Sequence, residues 1–395
     1  MLGLVLTAGG ARGAYQAGVM KKLGEISRLR NQSSPFKIIT GASAGAINGV
    51  SLAASTDSFF DSTQRITSLW GNIKVSNIFK TDFISLSLRS AQWLHDLSLG
   101  GLLGGGGAQS LLDFRPLREY LSKNLSLDGI AKAIDQGSLY ALAISATNYY
   151  SGKSYTFIQG KAGHPVWEKS RRVSVPVTME VDHVWASCAI PIIFQPVLVN
   201  SSLGDYYFGD GGLRLINPLS PAIRLGADRV FAIGIRSQKS SENRLKGELL
   251  ESKDNKYRMK PPPLAQVFGV ALNSIFLDHL DTDVEHLKRM NDLLVSNKID
   301  PENLQTKEPM RVITPLIVNP SVDLAAVAEE HDKRMPRVVR YLMDGLGTSK
   351  AQSADLLSYL LFDSHYTQAL IDIGYKDAAT QIDEIENFLC SEVTE

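Results

Sequence analysis

Apolar positions along the chain fall into short runs and helical stripes, and the two patterns alternate. Leu2–Thr7 (LGLVLT) is an apolar run of strand formers that ends at a glycine-rich turn, Ala8–Gly13 (AGGARG). Across Ala14–Ile26, the residues Tyr15, Val19, Leu23 and Ile26 recur at helical spacing, so the unit predicts strand, tight loop, helix. A second unit repeats that order. Phe36–Thr40 (FKIIT) reads as a strand, Gly41–Gly45 (GASAG) as a sharp turn, and Ala44–Ala54 as a helix of small residues. Tyr140–Ala146, Arg229–Ile235 and Arg311–Val318 read as further buried strands. Strands alternating with helices predict an α/β fold, with a mostly parallel central sheet flanked by helices on both faces.

Other segments break this rhythm. Within residues 80–112, Phe83–Leu103 is apolar yet carries Ser, His and Asp, and six of the eight positions in Gly100–Gly107 are glycine. Glycine holds no rigid shape by itself, so this stretch is expected to form a flap. Phe83, Leu86, Trp93, Leu94, Leu102 and Leu103 give the flap an apolar character suited to peripheral contact with a membrane. Residues 236–263 are polar, carry an excess of basic side chains and end in Pro261-Pro262-Pro263, which predicts a solvated excursion. Leu264–Asn297 reads as one long helical stretch, and Val322–Leu346 as helix broken before Pro336. From about residue 350 the pattern is helical only. One stripe runs through Leu356, Leu360, Leu361 and Leu370, another through Ala378, Ile382, Ile385 and Leu389. The expected division is an α/β domain over 1–348 and a helical C-terminal extension, 349–395, packed on its core.

Composition narrows the partners. The 395 residues carry 41 basic and 41 acidic side chains, a net charge of zero, which gives no general attraction to nucleic acid. Two cysteines, Cys188 and Cys390, exclude a disulfide framework and a four-thiolate zinc site. No run approaches the apolar length of a spanning helix, and Met1–Leu6 lacks the basic start of a signal peptide, so the expected location is cytoplasmic or peripheral to a membrane. None of these patterns speaks to an oligomeric state.

Chemistry concentrates at three glycine-rich places. Gly41-Ala42-Ser43-Ala44-Gly45 fits Gly-x-Ser-x-Gly where a strand turns into a helix. A serine at such a turn is held in a strained conformation clear of its neighbours, and side chains two residues either side would collide, hence Gly41 and Gly45. The helix that follows aims free N–H groups at the hydroxyl. In the Ala8–Gly13 loop, Gly9, Gly10 and Ala11 are suitable backbone donors for an oxyanion. Arg12 is counted with them, either anchoring the loop or meeting an anionic headgroup, and Gly13 supports the turn. The same loop can cradle a phosphate, although no Gly-Lys-Ser/Thr follows to make it a Walker A loop. Asp210-Gly211-Gly212 offers a carboxylate that can take the serine proton directly, and reads equally as an Asp-Gly turn. A Ser-acid-His triad would draw on His279, His286, His331 or His365. His279, Asp283 and His286 share a helical face at a metal-ligating spacing, but a solvated charged face explains them better, so no metal is expected.

Together the three motifs, in this order, resemble the patatin-like phospholipase family, whose pattern is Gly-Gly-Gly-x-Arg/Lys-Gly, then Gly-x-Ser-x-Gly, then Asp-Gly-Gly/Ala. Ala8 stands where that pattern has its first glycine. Ala186–Val197 (ASCAIPIIFQPV) and Gly209–Val230 resemble the family's segments before and after the acid, and the resemblance runs over residues 1–235. It implies a three-layer patatin-like fold and a Ser43–Asp210 dyad without histidine or cofactor. It also implies an oxyanion loop at Gly9–Arg12, with Gly211 and Gly212 supporting the acid, and a phospholipid or other acyl-lipid substrate. The implied activity is hydrolysis through an acyl-enzyme. The alternatives are acyl transfer by the same dyad, or a non-catalytic anion- or nucleotide-binding scaffold.

Overall fold

The computed structural model describes residues 1–55, 58–80, 110–237, 264–296, 310–335, 340 and 354–391. Its centre is a sheet whose path runs β5-β4-β3-β2-β1-β8-β9. The strands are β1 Leu2–Leu6, β2 Ile38–Ala42, β3 Ala141–Asn148, β4 Ser154–Gly160, β5 Arg172–Pro176, β6 Val197–Ser201, β7 Gly204–Gly209, β8 Arg229–Ile233 and β9 Thr314–Val318. From β3 through β9 on this path every neighbouring pair is parallel. These strands are short and nearly all apolar because helices cover both their faces. β4 runs antiparallel to β3, and the β6–β7 hairpin joins the sheet through the end of β3, Asn148 facing Phe208. Proline marks both edges, Pro176 ending β5 and Pro315 inside β9, where a missing N–H blunts further strand pairing.

Two apolar layers sandwich the sheet. On one face lie α1 (Gly13–Gly24), α2 (Ala44–Ala53) and α3 (Phe59–Gly71), in one continuous core with Leu4, Leu6, Ile39 and Leu142. Leu356, Tyr359, Leu370, Ile385 and Leu389 belong to that same core, so the C-terminal helices Ala354–Leu360, Ser364–Thr380 and Ile382–Cys390 complete this layer. On the other face Val5, Ile38, Ala143 and Val230 pack against Leu219, Leu225, Leu280 and Val284.

α1 and the helix Ser364–Thr380 approach backbone to backbone. A Cβ on Gly18 would lie 2.0 Å from the Ile371 carbonyl oxygen, and one on Gly374 would lie 2.2 Å from that of Tyr15. The buried Tyr15 hydroxyl bonds the Asp377 carboxylate at 3.2 Å, and burial pushes the phenol far above its ordinary range.

Some expectations change. The predicted stretch Leu264–Asn297 is two helices, Leu264–Phe276 and Asp278–Ser296, with the break at Leu277. Within Val322–Leu346 the helix Leu324–Glu330 stops at His331 and gives way to a 3-10 turn, Asp332–Arg334, before Pro336 is reached. The body of the predicted flap, its apolar side chains included, and most of the polar excursion lie outside the described residues. Among the described residues no helix is long and apolar enough to cross a membrane.

Candidate active site

In-register pairing sets the carboxyl ends of three strands side by side. Leu6 of β1 faces Gly41 of β2, and Ala42 of β2 faces Ser145 of β3. This end of an open α/β sheet is where the fold leaves a crevice. Ser43 follows β2 directly and caps α2, with φ 53° and ψ −125°. A non-glycine residue holds such a conformation only when its surroundings over-determine it. Here they do. The Ser43 N–H donates to the Ser187 hydroxyl at 2.9 Å, and Ser187 donates onward to the Ser145 carbonyl at 2.6 Å. The Ser43 carbonyl accepts from the Ala46 N–H at 2.9 Å, the first turn of α2. The flanking glycines leave no room for a side chain. A Cβ on Gly41 would sit 2.3 Å from the Gly45 carbonyl oxygen, and one on Gly45 would sit 2.2 Å from that of Leu6.

Asp210 arrives from the end of β7. Its N–H donates to the Ala189 carbonyl at 2.8 Å, and its carbonyl accepts from the Thr147 hydroxyl at 2.8 Å. The end of the short helix Val181–Ser187 and the residues after it thus touch both partners, Ser187 holding Ser43 and Ala189 holding Asp210. Gly211 packs so tightly on β3 that a Cβ would lie 2.0 Å from the Ser145 carbonyl oxygen. On Gly212 a Cβ would lie 2.5 Å from the Phe276 ring. The Asp210 carboxylate is wholly buried. Its Oδ1 accepts from the Gly212 N–H at 2.8 Å. The Ser43 hydroxyl is the side chain that stabilises its charge, although Oδ2 closes no hydrogen bond of ordinary length and angle. A loose contact of this kind is usual before substrate arrives. Burial raises the carboxyl from 3.8 to about 7, against the pull of the Ser43 and Gly212 donors.

The glycine-rich loop lies beside this pair. After Gly9 the chain makes a 3-10 turn, Gly10–Arg12, and enters α1. Gly10 needs its freedom, with φ +55° and a Cβ that would lie 2.4 Å from the Tyr359 carbonyl oxygen. Ala8 does not, since Ser43 and Ile192 are the non-glycine residues with positive φ among the described residues. The alanine therefore fits where the family pattern has glycine. The N–H groups of Gly10 and Ala11 reach no carbonyl outside their own turn, and Gly10 borders the same slot as Ser43.

Arg12 is a correction. Its N–H is engaged by the Gly9 carbonyl at 3.1 Å, and its side chain, 2% exposed, turns away from Ser43 to donate to the Ser358 hydroxyl at 2.8 Å. Arg12 anchors the loop, and its burial leaves it neither an oxyanion donor nor a headgroup contact. Gly13 packs on the start of α2, where a Cβ would meet that of Ala44 at 2.5 Å.

Two further residues brace the loop against α2. The Asn48 amide donates to the Gly13 carbonyl and to Gln16 Oε1, each at 3.0 Å, and accepts from the Trp70 indole at 2.6 Å. Gln16 donates to the Thr7 carbonyl at 2.9 Å. Neither residue stands out in sequence, since a lone amide inside a helix carries no motif. The slot itself is apolar apart from Ser43, bordered by Ile47, Trp70, Ile78, Leu117, Phe194 and Phe362.

Among the described residues no histidine hydrogen-bonds Ser43 or Asp210. Burial, Ser43 and Gly212 are the influences on the Asp210 carboxyl. His331 bonds the Val327 carbonyl, and the exposed His365 contacts Asp363 and Arg334. On the predicted His279–Asp283–His286 face, Asp283 is buried and accepts from the Leu219 N–H at 2.9 Å and the Asn217 amide at 3.0 Å. It braces the turn before the helix Ser220–Arg224.

Comparison with known proteins adds one family and one structure. A family model described as patatin-like phospholipase matches residues 4–223, more than half of the chain. A search of curated proteins found no match. Among solved structures, VipD from Legionella pneumophila is similar at 13% identity and a TM-score of 0.38, over 97% of this chain and 66% of that one.

Proposed function

Because this chain belongs to the patatin-like phospholipase family, we propose that it hydrolyses acyl-lipid esters, with Ser43 as nucleophile and Asp210 as its base. Ser43 Oγ attacks the ester carbonyl while its proton passes to the Asp210 carboxylate. The oxygen of the tetrahedral intermediate becomes negative and is met by the N–H groups of the Gly9–Ala11 turn and of the start of α2. Collapse breaks the ester bond, and the proton leaves Asp210 with the alcohol, a lysolipid where the substrate is a diacyl phospholipid. Water then attacks the acyl-Ser43 ester and gives a proton to Asp210; collapse breaks the bond between Ser43 Oγ and the acyl carbon, the proton returns from Asp210 to Ser43 Oγ, and a carboxylic acid departs.

One observation carries the reading. A fully buried carboxyl is raised by burial to about 7 while the hydroxyl of a strained Ser43 favours its charged form. A base is most effective when its pKa lies near the working pH. The small slot beside Ser43 is lined almost wholly by apolar side chains, which is compatible with the acyl end of a lipid and favours no charged group.

The test is a lipid-product assay on the wild type, Ser43→Ala and Asp210→Asn, beside labelling by a fluorophosphonate. The wild type should release fatty acid and take the label, and both variants should fold and lose almost all turnover. Full activity in Asp210→Asn would remove the dyad. With an added alcohol acceptor, mostly transacylated product would replace hydrolase by acyltransferase.

A further inference from the structure

The family match ends at residue 223, yet a segment more than a hundred residues later is built into the proposed site. The helix Ala354–Leu360 presses on the Gly10–Arg12 turn from outside. The Tyr359 carbonyl oxygen occupies the space that a Cβ at Gly10 would need. Arg12 threads into this helix. Its Nε donates to Ser358 Oγ at 2.8 Å, Nη2 lies 3.4 Å from Asp355 Oδ1, and the guanidinium stacks 4.4 Å from the centre of the Tyr359 ring. Ser358 in turn donates to the Asp355 carbonyl at 2.5 Å, so the acceptor that meets Arg12 is itself fixed.

The same helix reaches the acid loop. The Tyr359 hydroxyl donates to Asn273 Oδ1 at 2.9 Å, and its ring packs 5.5 Å from that of Phe276, the side chain that bears on Gly212. Two residues beyond the helix, Phe362 borders the slot together with Gly10 and Ser43.

We propose that Ala354–Phe362 is a working part of the acyl-transfer site, resting on the Ser43–Asp210 reading above. Asp355, Ser358 and Tyr359 are positioning residues that hold the Gly10 and Ala11 donors at the oxyanion through Arg12 and the Gly10 backbone. Phe362 is a specificity residue that sets how much acyl chain the slot admits. The physical reason is that oxyanion donors act only when pre-placed. A three-residue turn entered through Gly9 and Gly10 has little stiffness of its own, so its position is imposed by what it leans on.

The experiment uses the full chain and p-nitrophenyl esters of graded acyl length. Ser358→Ala and Asp355→Asn are compared with the wild type and Ser43→Ala. Asp355 is partly exposed, which makes Asp355→Asn the variant that folds if Ser358→Ala does not. We expect kcat to fall about 10-fold or more in each, below the 10²–10³ lost on removing a whole donor. KM should stay within about 2-fold, and the pH midpoint of kcat/KM should not move, because Asp210 is untouched. Phe362→Ala should shift the preferred ester towards longer chains.

A merely structural role would lower the amount of folded enzyme and leave kcat per active site, titrated with the fluorophosphonate, unchanged. That result, with an unchanged chain-length profile for Phe362→Ala, overturns this proposal while Ser43-dependent hydrolysis stands. No Ser43-dependent hydrolysis in the wild type overturns the underlying reading, and this proposal with it.

Discussion

Asp210 is held in a place that suits its uncharged form, and that makes its replacement informative about both stability and rate. In the folded chain the carboxyl lies at about 7 against an ordinary 3.8, because burial outweighs the two donors that favour its charge. Below the unfolded value both states are protonated and there is no penalty. As pH rises from there, the unfolded chain gives up its proton first. Folded stability then falls by about 1.4 kcal/mol per pH unit until the folded value is passed. By pH 8 the full cost is reached, about 4 kcal/mol for a shift of this size.

Asp210→Asn keeps the shape and an acceptor for the Gly212 N–H but carries no charge. It should match the wild type near pH 4 and exceed it in stability by up to about 4 kcal/mol at pH 8. Urea unfolding followed at pH 5, 6, 7 and 8 measures the gap, which should widen with pH and flatten above about 7. On the proposed mechanism turnover should move the opposite way: the asparagine variant should be inactive, and wild-type kcat/KM should climb through about pH 7 as the base ionises. A gap independent of pH, or an asparagine variant less stable than the wild type at pH 8, would refute the claim that Asp210 sits charged against its environment.

Three further outcomes follow from the geometry. Ser43→Gly and Ser43→Ala both abolish labelling, but the glycine variant should be more stable by about 1 kcal/mol, since only it relieves the φ of 53°. Equal melting temperatures would show that the turn holds no strain. Gly45→Ala must part β1 from α2, because its methyl would lie 2.2 Å from the Leu6 carbonyl oxygen. It should cost about 2–3 kcal/mol or prevent accumulation of folded protein, as read by soluble yield and denaturant midpoint. Asn48→Ala leaves the Trp70 indole and the Gln16 amide without their shared partner, for a loss of about 1–3 kcal/mol in urea unfolding. Because Asn48 also holds the Gly13 carbonyl, kcat should drop with it, and an unchanged kcat would dissociate this brace from the loop.

How much of this could be read from the chain depends on the range of the interaction concerned. The β1–turn–α1 and β2–turn–α2 units are legible because the hydrophobic period switches at glycines, and each is local. β4 and β5 are not, since Ser154–Gly160 mixes hydroxyls with aromatics and Arg172–Pro176 opens on a basic residue and ends on proline, so neither shows a clean apolar run. Ser43 and Asp210 stand out only through motifs whose order resembles a known family. Ser187 lies inside a stretch that resembles the family, yet its hydroxyl gains meaning only when folding brings it under Ser43, 144 residues away. Arg12 shows the limit most plainly. The sequence leaves it between anchor and headgroup contact, and what decides is Ser358, 346 residues later.

The close crossing of α1 with the helix Ser364–Thr380 has a consequence for how the molecule comes into being. Gly374 leaves the ribosome 356 residues after Gly18, its counterpart in the crossing. At about 5–20 residues per second that interval is on the order of 20–70 s, during which α1 has one flank bare. The apolar side of α1 is a natural target for a chaperone during synthesis. A nascent chain halted before the crossing forms would already carry Ser43 and Asp210 but leave Tyr15 without Asp377 and the Gly18 side of α1 uncovered.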